Sequence, residues 1–164
     1  MSDPTTIVSV DDVGVASVLA RRGAAGEAVI QRLGAEGPVC LRDGPDTFLG
    51  VGPGHWLALR EAAPSDFAAA LRERFGEAAW VVDQSGAYRV LKISGAKARA
   101  LLQRGVPIDL HPDAFGPDAT ASTALAHMTV LLWRPEGPDT FAVAVFRSYE
   151  ASFRHWLDQA AAAL

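Results

Sequence analysis

The chain has 164 residues, 49% of them apolar, enough to pack one domain or two small fused halves without staples. Lys plus Arg number 15 and Asp plus Glu 19, a net charge of −4 with no basic block, which argues against nucleic acid and anionic membranes as partners. Cys40 is the sole cysteine, so there is no intramolecular disulfide or thiolate metal cluster.

The acidic start, MSDPTTIVSVDD, lacks a basic region followed by an apolar run, and no window approaches the roughly 18 apolar residues of a spanning helix. A cytoplasmic protein is expected. Ala25–Leu33 then places Ala28, Val29, Ile30 and Leu33 at near-helical spacing, with Gly34 as a stop. Three short apolar runs follow, Val39–Arg42, Thr47–Val51 and Trp56–Arg60. Asp-Gly-Pro-Asp and Gly-Pro-Gly-His separate them, because Pro presets φ for a turn and Gly tolerates positive φ. The pattern predicts a meander of strands.

Ser65, after Pro64, is placed to cap a helix whose buried face is Phe67, Ala70, Leu71 and Phe75, ending at Gly76. Trp80–Asp83 and Tyr88–Ile93 read as two strands with a hairpin turn at Gln84–Gly86. Ser94 is the expected cap of a helix with Ala98, Leu101 and Leu102 inside, finished by Gly105 and Pro107. The loop PIDLHPDAFGPDA (Pro107–Ala119) is proline-rich and aperiodic. TALAHMTVLLWRP and DTFAVAVFR supply the last meander, and Ser148 caps a helix with Tyr149, Phe153, Trp156, Leu157 and Ala160 on one face.

The pentapeptide Gly-Pro-Asp-Thr-Phe occurs at Gly44–Phe48 and again at Gly137–Phe141. The copies are out of register, because a whole hairpin separates the first from its helix. GPGHWLALRE from Gly52 aligns better with GPDTFAVAVF from Gly137, each leading through a strand into a helix. The first pentapeptide is then the same turn reused one hairpin earlier. The expected fold class is α+β, two split β-α-β (ferredoxin-like) halves with mainly antiparallel sheets and helices packed on them. The halves are expected at residues 1–78 and 79–164.

The residues that carry chemistry are sparse. Gly50–His55 resembles a phosphate loop, but a strand follows it, where an anion site needs a helix N-terminus. His55, His111, His127 and His155 show no metal-ligand spacing, so no metal is expected. Asp109, His111 and Asp113 alternate on the proline-rich loop; an Asp-His pair serves a general base, or the same side chains hold the loop by bonding its amides. Lys92 and Lys97 lack a cofactor signature. No catalytic set is legible.

The segment from Asp83 to Leu157, with SGAKAR, PIDLHPDAF, LLW, DTF and RSY in order, resembles the gamma subunit of heterotetrameric sarcosine oxidase. LGVGPGHWLAL at Leu49–Leu59 is similar to that family's Gly-Pro-x-x-Trp-Leu hairpin. More distantly, SGAKARALLQRGVPIDL is similar to the helix preceding Asn-Asp-Val in the folate-binding domain of the glycine-cleavage T-protein aminomethyltransferases. Asp109 takes the place of their acidic residue, which makes it the candidate folate contact. Those relatives continue into a Gly-Gly and Asp-Asp turn, which TALAHMTVLLWRP here does not contain.

The resemblance implies a complex that oxidises sarcosine to glycine, with hydrogen peroxide and formaldehyde or methylene-tetrahydrofolate as products. It places FAD, FMN, NAD and tetrahydrofolate on larger alpha and beta subunits. This chain is then a non-catalytic companion with no cofactor of its own. Such a role needs interface anchors, for which aromatic residues are favoured. Trp56, Trp80, Trp133 and Trp156 are candidates, foremost Trp133 beside Arg134 and Pro135 at a strand end, with His111 on its loop as another; the alternative is that most of these rings fill the core. Two other functions stay open: a folate-binding one-carbon transfer protein and a homo-oligomeric binding module.

Overall fold

The computed structural model describes residues 5–34, 39–135, 137 and 139–164; residues 1–4, 35–38, Glu136 and Pro138 lie outside them, including the proline of the second pentapeptide. In chain order the first elements are β1 (Thr6–Val10), β2 (Gly14–Ala20), α1 (Ala24–Leu33), β3 (Cys40–Asp43), β4 (Asp46–Gly52), β5 (His55–Arg60) and α2 (Phe67–Phe75). There follow β6 (Ala79–Asp83), β7 (Tyr88–Ser94), α3 (Ala98–Gln103), β8 (Thr120–Leu125), β9 (Met128–Trp133), β10 (Thr140–Phe146) and α4 (Glu150–Ala162). They form two antiparallel five-stranded sheets, ordered β3-β4-β5-β2-β6 and β1-β7-β10-β9-β8. The fold class is α+β, as the alternation of apolar runs and helical stretches predicts.

Each sheet has its own core, in units Asp11–Gly86 and Met1–Val10 with Ala87–Leu164. Side chains alternate across a strand, so every second residue reaches the helices. In the first unit Ala16, Val18, Phe48, Trp56, Ala58 and Val81 meet Val29 and Leu33 of α1 and Phe67, Leu71 and Phe75 of α2. In the second, Leu91, Ile93, Val130, Leu132, Phe141 and Val143 meet Leu101 and Leu102 of α3 and Phe153 and Leu157 of α4.

The element order repeats. Two strands, a helix, a three-strand meander and a helix run from β1 to α2, and again from β6 to α4. The leading strand of each repeat adds to the other repeat's sheet: β1 pairs with β7, and β6 pairs with β2. Strands β5 and β10 therefore hold equivalent places, the alignment predicted from Gly52 and Gly137. The leading glycine of each pentapeptide holds positive φ, 61° at Gly44 and 72° at Gly137, where glycine avoids the Cβ penalty. In both, the Phe is fully buried and an Arg lies over its ring: Arg74 over Phe48 and Arg99 over Phe141.

Several local expectations are corrected. Gln84–Gly86 is no hairpin turn, since β6 and β7 lie in different sheets. Ser85 anchors the crossing instead, its Oγ accepting from the Val15 N–H at 3.0 Å while its own N–H donates to Asp83 at 2.9 Å. Ser65, Ser94 and Ser148 do not cap helices; the capping positions are Asp66, Lys97 and Tyr149, none with a side-chain bond. Ser94 is drawn into β7, where it pairs with both Thr6 and Thr140. Strands β1 and β2 were not expected from the sequence. Among the described residues no helix is long and apolar enough to cross a membrane.

Candidate functional site

The proline-rich loop is held by side chains bonding backbone. Gln103 on α3 reaches across it, donating from Nε2 to the Ile108 carbonyl at 2.7 Å and accepting from the Leu110 N–H at 3.0 Å. Asp109 Oδ1 accepts from the His111 N–H at 2.8 Å, and His111 Nδ1 accepts from the Asp113 N–H at 3.3 Å. The His111 carbonyl takes the amides of Ala114 and Phe115. Leu110 and Phe115 plug the loop into the core of their unit, while Asp109, His111 and Asp113 stay exposed. The spacing of two between Asp109 and His111 is that of an Asx turn, in which a carboxylate satisfies the amide two residues on.

The indoles separate sharply. Trp56 is 2% exposed and Trp133 5%, so both are enclosed within this chain. Trp56 packs with Phe48 in the core of the first unit. Trp133 follows Leu132, a residue of the helix-side core, and so lies on the opposite face of its sheet. Beside it the Arg134 side chain is buried and donates to the carbonyls of Phe115 and Gly137 at 3.0 and 3.1 Å. Trp156 is half-buried against α3, directly over Gly105.

Trp80 is the exception, 59% exposed on the edge strand β6. The Arg21 guanidinium lies 3.6 Å from its ring centroid, a close cation–π stack. Leu19, directly opposite Trp80 in the β2–β6 register, and Val82 are exposed beside it. Arg21 also lines an open cleft of about 390 Å³ with Arg22, Gly23, Ile30 and Pro53. The sequence offers Trp80 as an anchor but not Arg21 beside it, because the two are distant in the chain and only the register of β2 with β6 joins them. The one available signal was a Trp in an alternating strand whose companion Val82 shares its parity.

Two further polar groupings occur in this unit. Ser17 Oγ lies 2.7 Å from His55 Nε2, and burial lowers the imidazole pKa below its ordinary value. Asp46, only 2% exposed, takes Arg60 at 2.6 and 3.0 Å and Arg74 at 3.2 Å, clamping the β3–β4 turn to β5 and α2. Among the described residues no group of three or more His, Cys, Asp or Glu is placed to hold a metal.

The model of the sarcosine oxidase, gamma subunit family matches residues 19–163 of this chain. A sarcosine oxidase subunit gamma from an Arthrobacter species is 37% identical over 150 residues, covering 88% of this chain and 69% of that protein. Its counterpart from Corynebacterium sp. (strain P-1) is 37% identical over 123 residues, covering 74% of this chain and 56% of that protein. The chain thus spans a little over half to about two thirds of these curated relatives. Among solved structures, a chain of the heterotetrameric sarcosine oxidase from Corynebacterium sp. U-96, in complex with pyrrole 2-carboxylate, superposes with a TM-score of 0.84 at 28% identity. That match covers 96% of this chain and 84% of the other. The glycine cleavage system aminomethyltransferase T from Bartonella henselae shares the fold at a TM-score of 0.68 and 13% identity, over 94% of this chain and 45% of that one.

Proposed function

Because this chain belongs to the sarcosine oxidase gamma subunit family, we propose that it is the small, non-catalytic subunit of a heterotetrameric sarcosine oxidase. The complex oxidatively demethylates sarcosine to glycine, releasing hydrogen peroxide and formaldehyde or methylene-tetrahydrofolate. Larger alpha and beta subunits hold FAD, FMN, NAD and tetrahydrofolate, and this chain packs against them in the cytoplasm as an assembly element. The observation that carries this reading is the superposition of 96% of the chain on part of a heterotetrameric sarcosine oxidase. The self-contained bonding of Asp109 and His111 supports a structural role for the loop.

A tagged chain pulled from its native cytoplasm provides the test. The expected eluate is yellow, contains larger chains and turns over sarcosine. A colourless eluate of this chain alone, from cells that express the oxidase, overturns the proposal. A rise in melting temperature on adding tetrahydrofolate to the isolated chain would instead favour folate binding through Asp109.

A further inference from the structure

We infer that the solvent face around Trp80 is where this chain docks on a larger subunit, through apolar side chains and a carboxylate directed at Arg21. Strand β6 turns Ala79 and Val81 into the core, which leaves Trp80 and Val82 outward on an edge strand. Soluble chains ordinarily place charged or short polar residues at such positions. Here Trp80, Val82 and Leu19 are 59%, 54% and 44% exposed and share one side of the sheet.

The edge itself is guarded. Arg21 N–H donates to Ala78 and Gln84 N–H to Val15, so the same parity turns the backbones of Trp80 and Val82 towards β2 and that of Val81 away. The Val81 carbonyl is already taken by Arg72 Nε at 3.0 Å. An added strand would have to displace that guanidinium, so the occupant sits on the face and not on the edge.

Charge identifies what the occupant carries. Among the described residues no carboxylate forms an ion pair with Arg21 or Arg22, although Glu27 lines the same cleft. Arg21 Nε is buried and unbonded, and it is the outer N–H groups of this partly exposed guanidinium that a partner carboxylate can take. In a chain of net charge −4 this is a local cationic spot joined to an apolar one. A Trp and an Arg in that arrangement are the usual anchors of a protein interface. The identity of the partner as a larger subunit rests on the proposed function.

The test retains the whole complex. Tagged full-length wild type, Trp80→Ala, Arg21→Glu and, as a control in the other unit, Tyr149→Ser are each used to pull down the larger subunits. Trp80→Ala is expected to weaken retention about 30-fold and Arg21→Glu at least about tenfold, with Tyr149→Ser unchanged. Hydroxyl-radical footprinting of the free wild-type chain and of its complex gives a second readout independent of any variant's folding: the exposed Trp80 indole becomes protected on assembly. Wild type that captures larger subunits while both variants stay within about twofold of it, or a Trp80 indole that gains no protection in the complex, overturns the docking surface and leaves the subunit reading standing. Wild type that captures none overturns both.

Discussion

Replacing Asp46 by Ala removes an acid that two arginines share. Its carboxylate is 2% exposed and accepts three charge-assisted hydrogen bonds, at 2.6 and 3.0 Å from Arg60 and at 3.2 Å from Arg74. Breaking a buried pair costs about 3–5 kcal/mol, chiefly because the abandoned charges stay desolvated. Here both guanidinium groups are about a quarter exposed and recover water, which places the expected loss near the lower end. About 3 kcal/mol corresponds to a fall in Tm of about 6–12 °C for a chain of this length unfolding as one, and more for a unit unfolding alone. Urea denaturation of the purified full chain, followed by circular dichroism, measures it. A cycle with Arg60→Ala should return a coupling above about 1 kcal/mol. A loss below about 1 kcal/mol with negligible coupling would refute the reasoning and show the pair to be a surface ornament.

Three other outcomes are expected. A Cβ at Gly26 would overlap the backbone carbonyl of Arg21, which cannot swing aside, so Gly26→Ala should cost about 1–3 kcal/mol in the same assay; wild-type stability would contradict the packing at the start of α1. His127 holds φ of 69° in the two-residue turn between β8 and β9, where Gly carries no Cβ penalty, so His127→Gly should raise stability by about 0.5–1 kcal/mol, and a fall in Tm would argue otherwise. Burial depresses the His55 pKa, so the unfolded chain takes up that proton first. This contribution is therefore complete above about pH 6.5 and is lost as pH falls through the lower folded value; an NMR titration placing His55 at or above 6.5 would overturn it.

The alternation of elements is legible in the chain alone, because periodicity and turn chemistry are local. The strands β3, β4, β5, β6, β7, β9 and β10 and the helices α1, α2, α3 and α4 are legible in their apolar spacing. So is the pentapeptide turn, since Gly at positive φ and a buried Phe are demands that five residues meet alone. The motif PIDLHPDAF pointed to the family, and its Asx turn needs only Asp109 and the amide two residues on. Tertiary structure decided the rest. β1 and β6 each find their hydrogen-bond partners in the sheet of the other repeat, and pairing is a long-range choice that no window of residues contains. The same choice consumed Ser94 in a strand instead of a helix cap. It also enclosed Trp56 and Trp133 while leaving Trp80 outside. All four indoles lie in periodic segments, but which side of a segment meets the core depends on what packs against it.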